Sequence, residues 1–229
     1  MDFGVFEKSI GVSFKDKSLL KQAFTHRSYI NENRSAGLEH NERLEFLGDA
    51  VLQLVITDFL YKKFGEKPEG ELTAIRSALV NADTCASVAQ KLGANDFLLL
   101  SKGEAKDAGR ARQYILANTL EALIGAIYMD QGYEEAKKFV IQNIAPLTED
   151  IVERGAWIDA KSLFQTKAQE IAGATPMYKT TGESGPDHDK HFTVAVFVGD
   201  ERYGVGEGQS KQDAEQAAAR NALKTKGWN

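Results

Sequence analysis

Three carboxylates share one face of a strongly apolar segment, residues 41–59. At about 100° per residue of an α-helix, Glu42, Glu45 and Asp49 fall within an arc of roughly 60°. Gln53 continues the row, and no Lys follows in it. A buried carboxylate without a partner is costly, and clustered carboxylates raise their own pKa unless a cation joins them. The pattern therefore predicts a cation among these acids.

The other faces of this segment are apolar nearly all round. A helix with that pattern belongs in a core, so we predict a buried helix that ends near Gly65. The residues that carry this prediction are Leu44, Phe46, Leu47, Val51, Leu52, Leu54, Val55 and Phe59.

A second apolar stretch, residues 114–129, contains one charged side chain, Glu121, with Asn118 three residues before it on the same face. Carboxylate and amide oxygens that converge in an interior are the ligands of a hard divalent cation. Because neither stretch contains His or Cys, Mg²⁺ is favoured over Zn²⁺. The alternative without a metal is a structural helical protein whose buried acids pair with Arg43 or Arg76.

Length and composition limit the class of protein. A chain of 229 residues predicts two domains, and no apolar run reaches the ~18 uncharged residues of a membrane span. The N-terminus lacks a basic start and a long apolar segment, and the single cysteine, Cys85, indicates a reducing compartment and a small core filler. The net charge of −5 is a weak argument against a nucleic-acid partner, because a few well-placed cations or a metal ion can offset it.

Helical periodicity dominates up to about Asp150. Residues 25–29 are predicted as a polar connection, and residues 103–112 as a polar loop that is either solvated surface or a phosphate contact beside the acids. Besides the two apolar stretches, the pattern predicts helices over 5–10, 18–24, 71–92 and 133–152.

The pattern changes after Trp157 to the order αβββα. Asp159 is predicted to cap a helix that Gly173 ends, and Ser210 and Asp213 are predicted to form a capping box. The predicted strands are 177–181, an alternating strand through Phe192, Val194, Val196 and Val198, and 201–205, which glycines 204, 206 and 208 end.

Four residues of this part could contact RNA. Lys211 lies in the first turn of the last helix, where the macrodipole disfavours a cation unless an anion binds, so it fits a phosphate clamp. Gln165 and Gln169 lie one turn apart, and His188 lies at a loop tip. Such uncharged donors and acceptors suit the 2′-hydroxyls of an RNA minor groove.

These motifs resemble the ribonuclease III family over almost the whole chain. Residues 42–49, ERLEFLGD, resemble its signature motif, and the tail resembles a double-stranded-RNA-binding domain through GPDH at 185–188 and SKQDAEQAAA at 210–219. Further support comes from THRS at 25–28, PEG at 68–70, ILAN at 115–118 and EALIG at 121–125. The resemblance implies an all-α nuclease domain over 1–153, followed by a small α+β (αβββα) double-stranded-RNA-binding domain over 157–227.

The resemblance also implies an activity. It indicates a cytoplasmic endoribonuclease that works as a homodimer through the nuclease domain and leaves 5′-phosphate and 3′-hydroxyl ends. Expected substrates are double-stranded regions of precursor rRNA, with mRNA and tRNA processing in addition. Mg²⁺ is the expected cofactor with Mn²⁺ as a possible substitute, and neither a membrane nor a nucleotide cofactor is expected.

Roles carry over only where residues match. Glu45, Asp49 and Glu121 match and would hold the metal together with Asn118, which does not match, and Asp49 and Glu121 would be the catalytic pair. The remaining matches, in RNA-contacting positions, are Glu42, Glu69, Gln165, Gln169, His188 and Lys211.

Asn118 departs from the family motif, which has Asp at this position. An amide keeps a coordinating oxygen but removes one charge, so Mg²⁺ should bind less tightly. Asn118 therefore supports one alternative, a non-catalytic double-stranded-RNA-binding protein in which the nuclease domain is a scaffold.

Overall fold

The chain divides into two units, Met1–Trp157 and Ile158–Asn229. The computed structural model describes residues 2–34, 37–106, 109–155, 157, 159–186 and 190–228. The first unit is helical and the second has the order αβββα, which confirms the predicted fold class. The predicted domain limits, 1–153 and 157–227, stay a prediction.

Helices build the first unit, with short 3₁₀ turns at Ala94–Phe97 and Glu104–Lys106. In the described residues, no helix has the length and apolar composition to cross a bilayer. The α-helices are α1 (Phe3–Ile10), α2 (Lys17–Ala23), α3 (Arg27–Glu32), α4 (Glu42–Lys63), α5 (Glu69–Val80), α6 (Ala82–Lys91), α7 (Arg110–Gln131), α8 (Tyr133–Asn143) and α9 (Leu147–Glu153).

Two predicted helices are each divided in the structure. The helix expected over 71–92 breaks at Asn81, whose extended backbone and side chain begin α6 by accepting a hydrogen bond from the Thr84 N–H at 2.9 Å. The helix expected over 133–152 ends at Asn143, and α9 begins after Pro146. Proline has no N–H to continue the helical ladder, which explains the second break.

The polar connection expected over 25–29 is also partly helical. His26 precedes α3, and its Nδ1 accepts a hydrogen bond from the Ser28 N–H at 3.3 Å. The Ser28 hydroxyl in turn accepts a hydrogen bond from the Ser101 N–H at 3.1 Å. His26 therefore caps a short helix and has a structural role.

Helices α4 and α7 cross in direct backbone contact. A Cβ atom added at Gly48 would lie 1.7 Å from the backbone oxygen of Glu121, and one added at Gly125 would lie 2.2 Å from that of Leu44. No side chain fits at either position, so both crossing points require glycine. This contact places the acidic residues of α4 against α7.

The prediction that α4 is buried on all sides is wrong. Val51, Leu52 and Val55 are buried, whereas Phe46 is 80% exposed and Leu54 is 57% exposed. An apolar face of α4 is therefore uncovered in the single chain.

The second unit contains a three-stranded antiparallel sheet in the order β1-β2-β3. Asp159 accepts a hydrogen bond from the Ser162 N–H at the start of its first helix, and Ser210 accepts one from the Asp213 N–H at the start of the last. Both predicted caps are confirmed. The elements are α10 (Ala160–Ala172), β1 (Met177–Ser184), β2 (His191–Val198), β3 (Glu201–Gly208) and α11 (Lys211–Lys226).

Glycines 204, 206 and 208 do not end the third strand as predicted, because they lie within β3. Cβ atoms added at these positions would lie 2.5, 2.1 and 2.6 Å from backbone atoms of α11. Buried alanines of α11, including Ala214, Ala218 and Ala222, face this strand at short range. The small residues therefore set the close approach of helix and sheet.

The backbone contact between α4 and α7 predicts a strong effect of one methyl group. Gly48→Ala should lower the free energy of unfolding by about 3 kcal/mol or more, because the added Cβ overlaps a carbonyl oxygen that cannot move away. Urea unfolding measures this change. Gly70→Ala is the matched control, because the added Cβ meets nothing within 4 Å, and it should have no effect or stabilise by up to about 1 kcal/mol. Equal urea midpoints for the two variants would contradict the steric explanation.

Candidate metal site between α4 and α7

The structure brings the four predicted metal ligands together from two helices. Glu45 and Asp49 lie on α4 on either side of Gly48, and Asn118 and Glu121 lie on α7, where the Glu121 backbone meets Gly48. All four side chains are half-buried. Their oxygens therefore border one region at the helix crossing.

Two of the carboxylates have raised pKa values. Burial, followed by the charges of Asp49 and Glu45, raises the pKa of Glu121 to about 7. Burial and the charge of Glu42 raise the pKa of Glu45, and the charge of Asp49 adds to this, while a hydrogen bond from Asn118 acts in the opposite direction. The acids are thus close enough to repel one another.

Arg27 lies near Glu42 at the edge of this group, but the other three carboxylates have no basic partner in the described residues. Across the described ranges, Glu45, Asp49 and Glu121 form no ion pair with Lys, Arg or His. Arg76 instead donates a hydrogen bond to the Thr57 hydroxyl at 3.0 Å. The alternative in which an arginine pairs with the buried acids is therefore not the arrangement of this chain.

The donor types fit a hard divalent cation. Three carboxylates and one amide supply only oxygen ligands, and their negative charge is uncompensated. Within the described part of the chain, no three His, Cys, Asp or Glu side chains already stand at metal-ligand positions. The fourth predicted ligand, Asn118, is an amide and does not belong to these residue types. The side-chain amide of Gln53 donates a hydrogen bond to the Asp49 carboxylate at 3.4 Å.

The two further predicted acids differ in position. Glu42 lies at the start of α4, where Arg27 is 3.4 Å and His40 is 3.8 Å from its carboxylate, and it borders Glu45. Glu69 begins α5 and accepts a hydrogen bond from the Thr73 hydroxyl at 2.9 Å. Glu69 borders a cavity that Thr57, Tyr61 and Arg76 also line.

The predicted RNA contacts of the second unit lie on its surface. Gln165 and Gln169 are exposed on α10, and the Gln169 amide donates to the Thr175 hydroxyl at 3.4 Å. Lys211 begins α11, with its Nζ 3.6 Å from the Glu183 carboxylate and 5.6 Å from the centre of the Phe192 ring. His188 lies outside the described residues.

Two basic or reactive residues near the site have structural roles. Burial, with the charges of Glu121 and Asp49, raises the pKa of Cys85 to about 12, so the fully buried thiol stays protonated as a core filler. The Arg112 guanidinium donates to the Asn95 side chain at 3.2 Å and to the Glu104 carbonyl at 2.7 Å. Arg112 is therefore held by the protein and is not a free phosphate contact.

Comparisons with known proteins agree with this division of the chain. A family model described as "Ribonuclease-III-like" matches residues 16–147, and a "Double-stranded RNA binding motif" matches residues 160–226. "Ribonuclease 3" of Protochlamydia amoebophila is 47% identical over 219 residues, 95% of this chain and 89% of that protein. "Ribonuclease 3" of Enterococcus faecalis is 44% identical, over 94% of this chain and 93% of that protein.

A solved structure extends the similarity to the fold. The nuclease domain of ribonuclease III from Campylobacter jejuni is 41% identical, with a TM-score of 0.58. The match covers 63% of this chain and 97% of that domain. It is thus the helical unit that resembles this nuclease domain.

The raised pKa of Glu121 predicts a pH-dependent stability. Its folded pKa of about 7 exceeds the reference value of 4.5, so the folded chain binds more protons between these values and stability falls as pH rises through that window. Without divalent cations, Glu121→Gln should remove this fall and stabilise the chain at pH 8 by about 1–2 kcal/mol, allowing for solvent screening of a partly exposed group. Thermal unfolding from pH 5 to pH 8 measures both effects.

The control for this experiment is Glu153→Gln, which changes an exposed glutamate of the same unit. It should follow the wild-type curve. Adding Mg²⁺ at pH 8 should stabilise the wild type more than Glu121→Gln, since a bound cation stabilises only the state that binds it. Parallel pH curves for all three proteins would rule out a buried acid cluster.

Proposed function

The chain belongs to the ribonuclease III family, and on this premise we propose that it is a metal-dependent endoribonuclease that cleaves double-stranded RNA. The observation that carries the proposal is the meeting of Glu45, Asp49 and Glu121 at the crossing of α4 and α7, with no basic partner in the described residues. In a protein that binds no cation, this repulsion would only lower the stability of the fold. We propose Mg²⁺ as the cation, with Mn²⁺ as a substitute, because the donors are all oxygens.

The proposed reaction is hydrolysis of a phosphodiester. Water attacks phosphorus, the bond to the 3′-oxygen breaks, and the leaving oxygen takes a proton, which gives 5′-phosphate and 3′-hydroxyl ends. When bound, the cation supplies Lewis acidity for activation of water and offsets charge in the transition state. No covalent intermediate with the protein is required.

The protein supplies position and protonation state. Asp49 and Glu121 are proposed as the catalytic pair, and the crossing of α4 and α7 at Gly48 fixes their separation. The hydrogen bond from Asn118 favours the ionised form of Glu45. Because Glu121 has a pKa of about 7 in the cation-free chain, binding of a cation must displace its proton, so affinity for the cation should increase as pH rises through neutrality.

The second unit is proposed to hold the RNA duplex. Gln165 and Gln169 present uncharged donors and acceptors on one exposed helix face, which suits 2′-hydroxyls across a minor groove. Lys211 is proposed to contact phosphate, and Glu183 would then exchange its weak ion pair for solvent. His188, Glu42 and Glu69 keep the RNA-contacting roles that family similarity suggests.

Nothing in these contacts reads a base sequence. We propose precursor rRNA and other structured transcripts, including mRNA and tRNA precursors, as substrates. The corresponding location is the cytoplasm, where bacterial relatives of this length would meet such transcripts.

A homodimer through the first unit is also proposed. Phe46, Leu54 and Tyr61 fall within an arc of roughly 80° on α4 and are 80%, 57% and 73% exposed. Phe46 borders a cavity of about 530 Å³ that Leu44, Met129 and other side chains line. Polar side chains, including Glu39 and Arg43, line the rest of this cavity. An exposed aromatic beside a partly apolar cavity can be self-complementary, as a two-fold interface requires. The similar Campylobacter jejuni nuclease domain is described as having a region involved in dimer formation.

The activity is tested on a perfect RNA duplex with and without Mg²⁺. Glu121→Gln should lower the cleavage rate by about 1,000-fold or more while leaving RNA affinity unchanged, because the metal site and the second unit act separately. Asn118→Asp, which adds one charge to the ligand set, should lower the Mg²⁺ concentration for half-maximal rate by about tenfold. Binding without cutting under Mg²⁺ or Mn²⁺ would establish the non-catalytic alternative that Asn118 supports.

The dimer is tested by changing its exposed aromatic. Phe46→Ala should weaken dimerisation by roughly 30-fold or more, because a central buried aromatic contributes at least about 2 kcal/mol to such interfaces. Sedimentation velocity across a dilution series measures the change. Val5→Ala, at a residue that is 58% exposed on α1, is the control and should leave the dimer intact.

A further inference from the structure

Helix α7 carries a second exposed feature on the face that leads to the acid cluster. Arg110, Tyr114, Asn118 and Glu121 fall within an arc of roughly 80° around the helix axis. At about 1.5 Å per residue, Tyr114 lies roughly 10 Å along the axis from Glu121. The face of α7 that carries the proposed metal ligands therefore continues towards the N-terminus of the helix, where it carries an arginine and a tyrosine.

The two outer residues of this row contact each other. The Arg110 guanidinium lies over the Tyr114 ring, 5.9 Å from its centre, and Tyr114 is 49% exposed. Neighbouring Ile115 and Leu116 are buried, so the helix itself is fixed in the core. An aromatic ring orients the guanidinium without neutralising its charge.

The neighbouring arginine shows how a structural role differs. Arg112 points away from this row, and its guanidinium donates to Asn95 and to the Glu104 carbonyl. Arg110 forms no such hydrogen bond within the described ranges. Arg110 is exposed, so its donors are accessible to a ligand on this face of α7, about 16 Å along the axis from Glu121.

The charges along α7 explain why a cation at Arg110 would help an RNA strand to bind. A phosphodiester that approaches Glu45, Asp49 and Glu121 meets negative charge in a chain whose net charge is −5. At physiological ionic strength, charges beyond about 8 Å are largely screened, so the acids, about 16 Å from Arg110 along the helix axis, do not cancel its charge. Arg110 is therefore a cation on the same helix face that can bind a phosphate of the strand beyond the reach of the acids.

We propose that Arg110 and Tyr114 form a sugar–phosphate subsite for the RNA strand being cut. This inference rests on the proposed nuclease function. Arg110 binds a phosphate a few nucleotides away from the scissile one, and the Tyr114 hydroxyl exchanges a hydrogen bond with a ribose 2′-hydroxyl. Both are positioning residues, because neither touches the reacting atoms.

The first test measures binding of the full chain to an RNA duplex in a Glu121→Gln background, which prevents cutting. Arg110→Ala should reduce the slope of log affinity against log salt concentration by about one, the value for one phosphate contact. Arg110→Lys should retain the slope, since it keeps the charge. Arg154→Ala, which removes an exposed arginine at the end of α9, is the control and should change nothing.

The second test addresses the ribose contact. A panel of duplexes, each with one 2′-deoxynucleotide near the cut, should contain one member that binds the protein with Tyr114 several-fold more weakly than the all-RNA duplex. Tyr114→Phe should lose this discrimination and keep its affinity for the other duplexes within about twofold. In the cleaving chain, Arg110→Ala should raise KM about tenfold with kcat nearly unchanged, as expected for uniform binding.

The outcomes separate this subsite from the nuclease function. If the wild type cuts but Arg110→Ala keeps the control's salt slope, or Tyr114→Phe keeps the 2′-deoxy discrimination, the subsite is wrong and the function stands. If no cation supports cutting, the function is wrong, and the binding slope and the deoxy panel still decide the subsite. A loss of slope together with a loss of discrimination supports it in either case.

Discussion

The backbone contact between α4 and α7 is the constraint on which the site depends. At Gly48 and Gly125 the two helices approach so closely that a single Cβ would overlap a carbonyl oxygen. Ordinary packing distances between helices are 8–10 Å, with side chains between the axes. Because both crossing residues are glycines, the backbone of Glu121 lies directly against α4, between Glu45 and Asp49. Carboxylates on two such helices then share one environment without any loop to hold them.

That arrangement stores electrostatic repulsion in the fold. Burial raises the pKa of the half-buried Glu121, and the charges of Asp49 and Glu45 on α4 raise it further. The surrounding core compensates: α4 and α7 bury Leu52, Val55, Leu120 and Ile124 almost completely. Apolar burial of this extent can hold helices together against a local repulsion of a few kcal/mol. A cation reverses the sign of the local interaction, because it turns mutually repelling oxygens into ligands.

Much of this architecture could be predicted from the sequence, and the failures have identifiable causes. Both apolar helices and the αβββα order followed from periodicity, and the carboxylate row followed from helical geometry. The break at Asn81 was missed because the apolar period runs through it, although Asn is a good N-cap. Glycines 204, 206 and 208 resembled strand-ending residues because a sequence does not show that a helix lies against them.

The exposed face of α4 was missed for a more general reason. Hydrophobicity shows that Phe46 and Leu54 avoid water, but not whether the chain itself or a second copy covers them. Likewise, spacing grouped Glu42, Glu45 and Asp49 on one helix and Asn118 with Glu121 on another, and the family resemblance selected four of them as ligands. Only the structure shows that no arginine in the described residues joins these four. The sequence alone does not distinguish Tyr114 from a core residue, because an aromatic in an apolar helix is usually buried. Its exposure and its contact with Arg110 became visible only in three dimensions.

Asn118 connects the stability of the site to its affinity for a cation. A fourth carboxylate at this position would add to the repulsion that already raises the pKa of Glu121 and Glu45. The amide instead donates a hydrogen bond that favours ionised Glu45, which eases the fold in the absence of a cation. The same missing charge lowers the electrostatic attraction for Mg²⁺. At this residue, a change that raises the stability of the cation-free fold therefore lowers the affinity for the cation. The Asn118 amide favours stability, and its oxygen can still coordinate a cation.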